Sequence, residues 1–147
     1  MTLKTQITED MKTAMRAKDS TRLGTIRLLQ AAIKQREVDE RIELNDADVI
    51  AVIEKMLKQR RDSITAYESA NRADLADIEK AEVVVLQTYL PKQLTDDEVD
   101  VLLEQVVADT AAVDMKDMGK VMAAIKPLVA GKADMGKISG LIKSRLA

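Results

Sequence analysis

The sequence predicts an all-α protein, and two observations carry that prediction. Aromatic residues are nearly missing, with two Tyr and no Phe or Trp, so aliphatic side chains and eight Met supply the core. Aliphatic side chains pack well between helices, whereas sheets favour aromatic and β-branched residues. Apolar residues also recur every three or four positions, and no segment shows sustained alternation. We expect a four-helix amino-terminal part followed by a three-helix carboxy-terminal part.

The first two helices follow from the apolar pattern and from one capping site. The apolar positions of the first helix, which ends near Lys18, are Leu3, Ile7, Met11, Ala14 and Met15. Asp19-Ser20 then offers a new cap, because short polar side chains accept hydrogen bonds from the free amides of a helix start. The second helix is predicted over 21–39. Its predicted buried residues are Ile26, Leu28, Leu29, Ala32 and Ile33.

The third and fourth helices are predicted to form a long antiparallel hairpin. The third follows the Asn45-Asp46 cap and extends to about Ser69, Asn71 supplies the turn, and the fourth runs over 73–89 until Pro91 stops it. Each apolar stripe contains one charged interruption: Arg60 in the third helix and Glu82, with Glu79 beside it, in the fourth. Folding the chain at Asn71 places Arg60 level with Glu82 and Ile64 level with Ile78. We therefore predict a structural ion pair between Arg60 and Glu82 or Glu79.

The carboxy-terminal part begins with a capping box. In Thr95-Asp-Asp-Glu98 the Thr hydroxyl and the Glu carboxylate satisfy exposed amides reciprocally. Two similar segments follow, Asp117–Ile125 and Asp134–Ile142, in which each Asp is predicted to be an N-cap, with Gly131 between them as a helix terminator. We expect a helical amino-terminal domain over residues 1–91 and a small three-helix domain over residues 94–147.

The composition limits the chemistry of the chain. Cys and His are both absent, which removes thiolate nucleophiles, imidazole catalysis and structural zinc. The net charge of −2 gives no strong overall field. The longest aliphatic run, Val83–Leu86, is far shorter than the roughly 20 residues of a membrane span, and the first residues lack the pattern of a signal peptide. We expect a cytoplasmic protein, monomeric, without cofactor, metal or membrane partner.

Several segments of the chain resemble the GatB/YqeY family, and together they cover most of its length. The segments that carry the resemblance are Leu28–Lys34, Lys58–Ile64, Arg72–Leu75, Glu79, Glu82, Tyr89–Leu94, Met118–Met122, Gly131–Asp134 and Lys137. The resemblance is closest to a stand-alone YqeY-like protein. It implies an all-helical, two-part fold related to the tail domain of GatB, the larger non-amidase component of the aspartyl/glutamyl-tRNA amidotransferase.

This resemblance implies a function without supplying its catalytic residues. In the amidotransferase the tail is associated with tRNA recognition, and the family carries the label of a carbon–nitrogen ligase with glutamine as amido-N-donor. The catalytic cradle and metal site of GatB are not present in this sequence. We therefore expect a non-catalytic accessory module that binds tRNA or a tRNA-handling enzyme. The alternatives are a component of glutamine-dependent amidotransfer and a protein-interaction domain using Met115, Met118 and Met122 as an adaptable surface.

The candidate nucleic-acid-binding residues lie in the carboxy-terminal segment. From Lys116 to Ala147 seven basic residues accompany two acidic ones, a local excess that the whole-chain total hides. A glycine in the first turn after each Asp leaves amides accessible to an anion, although a capping Asp would occupy those amides itself. The residues predicted to contact RNA phosphates are Lys120, Lys132, Lys137 and Lys143. Lys55, Lys58 and Arg61 are interpreted as a solvated helix face.

Overall fold

A computed structural model describes residues 2–147, and within that range every regular element is helical, which confirms the all-α prediction. The chain forms two compact units, the first ending at Leu90 and the second beginning at Pro91. The helices of the first unit are α1 (Leu3–Ala17), α2 (Ser20–Glu40), α3 (Asp46–Ser69) and α4 (Ala73–Gln87). Those of the second unit are α5 (Asp96–Thr110), a short 3-10 helix (Met115–Asp117), α6 (Met118–Val129) and α7 (Met135–Leu146).

Two of the helix starts are fixed by the capping residues that the sequence indicates. At α3 the Asn45 side chain accepts from the Asp48 amide at 2.9 Å, and the Asp48 carboxylate accepts from the Asn45 amide at 3.2 Å. Thr95 and Glu98 form the same reciprocal pair at α5, at 3.2 and 3.1 Å. The predicted capping box of α5 is therefore confirmed. Each such cap contributes about 0.5–2 kcal/mol to helix stability.

The core of the first unit draws on all four helices and closes on Tyr89. Its fully buried members include Ile7, Ile26, Leu29, Ile53, Leu57 and Leu86. Tyr89 lies just beyond α4, is only 4% exposed, and donates its hydroxyl proton to Asp10 Oδ2 of α1 at 2.7 Å. Burial, with the Asp10 carboxylate beside it, raises the pKa of Tyr89. The end of α4 is thus anchored to the first helix of the chain.

An ion pair connects α3 with α4 inside the first unit. The Arg60 guanidinium donates to Glu82 Oε2 through Nε at 2.9 Å and Nη2 at 2.7 Å, and Glu79 Oε2 lies 4.0 Å from Nε. The Arg60 and Glu82 side chains are 13% and 17% exposed. A second pair, Lys80 with Glu68 at 2.8 Å, lies nearer the turn between the two helices. Because Arg60 and Glu82 are largely shielded from water, each needs the other.

Two residues that the sequence analysis assigned to buried stripes are exposed. Leu28 of α2 is 50% accessible and Ile78 of α4 is 58% accessible, so the predicted packing of Ile64 on Ile78 is wrong. At about 100° per residue, Ile78 points about 160° away from Ala76 around α4. Ala76 is fully buried, so Ile78 faces outward. Leu28 lies about 100° from fully buried Leu29 and falls at the edge of the buried face of α2.

The second unit has a separate core made by one face of each of its three α-helices. The core residues are Val99, Leu103, Val106, Val107, Val121, Ile125, Val129, Ile138, Ile142 and Leu146. Between α6 and α7 the chain turns at Gly131, which has a φ of 72° that favours glycine. The segment before α5 is tied to this turn, since Leu94 N donates to Lys132 O at 2.8 Å and Gln93 Nε2 donates to Gly131 O at 2.7 Å.

Candidate functional site

Charge is segregated by helix in the second unit. Six carboxylates lie on α5: Asp96, Asp97, Glu98, Asp100, Glu104 and Asp109. The basic residues of the segment from Lys116 onward lie on or beside the 3-10 helix, α6 and α7. An anion approaching the second unit would be repelled by the α5 side and attracted by the side formed by α6 and α7.

Two of these basic residues already have carboxylate partners on α5. Lys137 Nζ lies 2.5 Å from Asp96 Oδ1, and Arg145 Nε lies 2.5 Å from Glu104 Oε1. The hydrogen bond to Asp96 raises the pKa of Lys137, and the hydrogen bond from Arg145 lowers the pKa of Glu104. Lys137, one of the four residues predicted to contact phosphate, is therefore partly neutralised within the unit.

The other basic residues of this segment have no carboxylate within salt-bridge distance anywhere in residues 2–147, and all are exposed. They are Lys116, Lys120, Lys126, Lys132 and Lys143. A five-residue connection joins α6 to α7, and the two helices pack on each other, so they run in roughly opposite directions. Each rises about 18 Å over its twelve residues.

The four predicted phosphate contacts consequently do not form one cluster. Lys120 lies near the start of α6 and Lys143 near the end of α7, hence at the same end of the unit. The 3-10 helix, which carries Lys116, contacts α7 and belongs to this end as well. Lys132 lies in the α6–α7 connection at the opposite end, beside Lys137 at the start of α7. We define Lys116, Lys120 and Lys143 as the lysine end of the second unit.

The two Asp residues predicted to be N-caps differ in the structure. Asp134 Oδ1 accepts from Gly136 N at 3.1 Å and caps α7. The cap assigned to Asp117 is wrong, because its carboxylate accepts from Val113 N at 2.8 Å and makes no cap hydrogen bond to α6. The 3-10 helix before α6 gives Asp117 a φ of −88° and a ψ of 0°, which is not the extended conformation of a cap. The hydrogen bond from Val113 lowers the pKa of Asp117.

A groove in the first unit has no counterpart in the sequence analysis. It lies between α2 and α4, encloses about 650 Å³, and has Gly24, Leu28, Ile78 and Ala81 among its lining residues. The signal was present in the sequence, since both apolar stripes are wider than one neighbouring helix covers. The Arg60, Glu79 and Glu82 group lies at its inner edge, where Glu82 also borders the groove.

Neither a metal site nor a membrane span is found among the described residues. Across that part of the chain, no three acidic side chains come together in a group that could hold a metal ion. No helix between residues 2 and 147 combines the length and the apolar character needed to cross a bilayer.

Comparison with known proteins identifies the family. The family model described as Yqey-like protein matches residues 4–146, which is nearly the whole chain. The chain belongs to the YqeY-like family. The family resemblance inferred from the sequence motifs is thereby confirmed.

Fungal relatives of this YqeY-like chain share about a third of its residues. The protein described as altered inheritance of mitochondria protein 41, mitochondrial, from Vanderwaltozyma polyspora is 34% identical over 117 residues, covering 75% of the chain and 63% of the relative. The proteins of that description from Lachancea thermotolerans and Pyrenophora tritici-repentis are 31% and 30% identical, covering 76% and 84% of the chain and 64% and 69% of the relatives. The chain thus spans less than two thirds of the first two relatives. Their description places those fungal proteins in mitochondria, whereas a cytoplasmic location was predicted for this chain.

The pKa shifts predict how the stability of the YqeY-like chain varies with pH. Hydrogen bonds lower the pKa values of Glu37, from Lys4, and of Glu104, from Arg145. A lowered carboxylate pKa stabilises the fold above the unfolded value of about 4.3, and this contribution is lost as pH falls through the folded value. The raised pKa of Tyr89 acts oppositely: its contribution is complete below the unfolded value of about 10 and is lost at higher pH.

We expect the free energy of unfolding to be nearly constant from about pH 5.5 to 7 because the chain has no histidine. It should decrease below about pH 4 and again above about pH 10. Urea unfolding measured across this range checks the prediction. A steep change between pH 5.5 and 7 would contradict it.

Proposed function

We propose that this YqeY-like chain is a non-catalytic accessory module that binds the phosphate backbone of tRNA through the lysine end of its second unit. The first unit, with α3 and α4 as a long antiparallel hairpin, serves in this proposal as the rigid partner of the binding unit. The division near Pro91 into an amino-terminal domain of four helices and a carboxy-terminal domain of three is part of the same proposal.

One observation carries the proposal: the lysine end consists of exposed cations without carboxylate partners. Lys116, Lys120 and Lys143 are all exposed, and none has a salt bridge within residues 2–147. Phosphate binding requires such cations, because a lysine already neutralised by a carboxylate releases few counterions on binding. The carboxylates of α5 would orient the ligand by repelling phosphates from the other side of the unit.

The second unit has no aromatic side chain, since both tyrosines precede Pro91. Base stacking is therefore not available there, and binding would depend on phosphate contacts and on the shape of the RNA. We accordingly expect weak preference among tRNA sequences and strong dependence on salt.

Replacing Lys120 and Lys143 together by Gln is expected to weaken tRNA binding. The slope of log affinity against log salt concentration should become shallower by about two, one unit for each lost phosphate contact. Replacing Lys137 by Gln should have a smaller effect, because Asp96 already neutralises it. Fluorescence anisotropy with labelled tRNA at several salt concentrations measures all three affinities.

The matched control is the variant with Lys55 and Lys58 both replaced by Gln, two exposed lysines one turn apart on α3. It should bind as the parent does. Equal slopes for the parent and for the Lys120 and Lys143 variant would refute phosphate contact at the lysine end. Amide formation on misacylated tRNA by the purified chain with glutamine and ATP would refute the non-catalytic role.

A further inference from the structure

The groove between α2 and α4 is an apolar surface that the first unit leaves uncovered. On the α2 side it is lined by Gly24 and Leu28, and on the α4 side by Ile78 and Ala81. Leu28 is 50% exposed and Ile78 is 58% exposed. Two large aliphatic side chains that face each other across an open groove gain free energy when a partner removes them from water.

The apolar surface continues along α2 beyond the groove. Exposed residues spaced three and four apart follow one face of the helix: Thr21, Gly24, Leu28, Ala31, Gln35 and Val38. This alternation of three and four is the spacing with which one helix packs along another. Val38 is 64% exposed, so the stripe is open to solvent at its far end also. The face has the length and the periodicity to receive a helix.

A row of cations borders this stripe on one side. Arg27, Lys34 and Arg41 are spaced by seven residues, so they lie on the same side of the stripe, Arg41 being the C-cap of α2. All are exposed, and none forms a salt bridge within the described residues. The opposite border of the groove carries Asp77 of α4. A helix lying in the groove would therefore meet positive charge along one flank.

We propose that the first unit binds an amphipathic helix of a partner protein, with its apolar stripe in the α2–α4 groove and carboxylates facing Arg27 and Lys34. The helix-in-groove mode accounts for the apolar floor, and the seven-residue spacing of the cations selects a partner helix with acidic residues at the same spacing. This inference is independent of the proposed tRNA contact, which belongs to the second unit.

A second copy of the chain fits this face poorly. Two α2 helices packed antiparallel along their stripes would place the rows of Arg27, Lys34 and Arg41 against each other, and like charges in register oppose pairing. RNA fits the cations but not the apolar floor between Leu28 and Ile78. An acidic amphipathic helix satisfies both features.

Gly24 provides a substitution that fills the groove without disturbing the fold. A Cβ atom at Gly24 would meet no other atom within 4 Å, and the same holds for Gly140 in α7. Gly24→Glu therefore places a long acidic side chain in the groove, where it obstructs and repels an acidic helix. Gly140→Glu is the matched control, since it makes the same change at a mid-helix glycine of the other unit.

The probe is a synthetic peptide of 21 residues, the length of α2, with leucine and alanine at the apolar positions and glutamate along one flank. A second peptide carries lysine in place of each glutamate. We expect the parent chain to bind the glutamate peptide at least about tenfold more tightly than the lysine peptide, a difference of about 1.4 kcal/mol. Gly24→Glu should weaken binding of the glutamate peptide by about tenfold or more, and Gly140→Glu should leave it unchanged.

The charge contribution is tested separately. Replacing Arg27 and Lys34 by Gln should weaken binding of the glutamate peptide and reduce its salt dependence, whereas replacing exposed Arg16 and Lys58 by Gln should change neither. Equal binding by the parent and Gly24→Glu would overturn the proposal. So would self-association of the parent that Gly24→Glu abolishes, or loss of tRNA binding in the Arg27 and Lys34 variant with peptide binding unchanged.

Discussion

Replacing Arg60 by alanine is expected to lower the free energy of unfolding by about 3 kcal/mol, the lower end of the range for breaking a buried ion pair. The substitution leaves Glu82 without its two hydrogen bonds while its side chain remains only 17% exposed. Glu79, 4.0 Å from the guanidinium, loses part of its neutralisation as well. The lower end of the range applies because Arg60 keeps 13% of its side chain accessible to water. Urea unfolding followed by circular dichroism measures the change.

Two further variants isolate the cause of that loss. Lys58→Ala removes an exposed cation two positions earlier on α3 and should change the unfolding free energy by less than about 0.5 kcal/mol. Replacing Arg60 and Glu82 together by Met should recover most of the stability, since a well-packed apolar pair replaces a buried ion pair at little cost. If Arg60→Ala proves as mild as Lys58→Ala, the pair does not stabilise the hairpin.

Replacing Ile125 by alanine is expected to destabilise the second unit by about 2–5 kcal/mol. Ile125 lies on α6, is fully buried, and belongs to the core formed with α5 and α7. The truncation removes apolar contacts and leaves a cavity that a core of only three helices fills incompletely. Hydrogen exchange of amides in α5, α6 and α7 reports the change within this unit directly.

The comparison is Val101→Ala on α5, where the side chain is 68% exposed. That substitution also deletes aliphatic atoms, yet it should cost less than about 0.5 kcal/mol because the lost surface is already in water. Equal loss of protection in the two variants would show that α6 does not organise the core of the second unit.

Local signals in the sequence sufficed for the helical elements, and contacts between distant residues did not follow from them. The starts of α3 and α5 depend on residues three apart, Asn45 with Asp48 and Thr95 with Glu98, so they are visible in the sequence. Leu28 was assigned to the core because a periodic pattern shows how wide an apolar stripe is, and not which of its edges another helix covers.

The candidate site shows the same limitation through its charges. The excess of basic residues after Lys116 is readable from the sequence, but the neutralisation of Lys137 by Asp96 joins residues 41 positions apart. The cap at Asp117 was missed for a different reason. The turn that precedes α6 continues as a 3-10 helix, and no residue pattern separates that arrangement from a simple N-cap.

The hydrogen bond from Tyr89 to Asp10 has a consequence for the order in which the chain folds. It joins residues 79 positions apart, so the ribosome must synthesise almost the entire first unit before its first helix has its last partner. A contact so distant in sequence forms late, because the loop that it closes costs more entropy than the local turns do. Every residue of that core precedes Pro91, however, so the first unit has its full set of partners before the helices of the second are made. Folding during synthesis should therefore proceed in two steps, with Tyr89 completing the first.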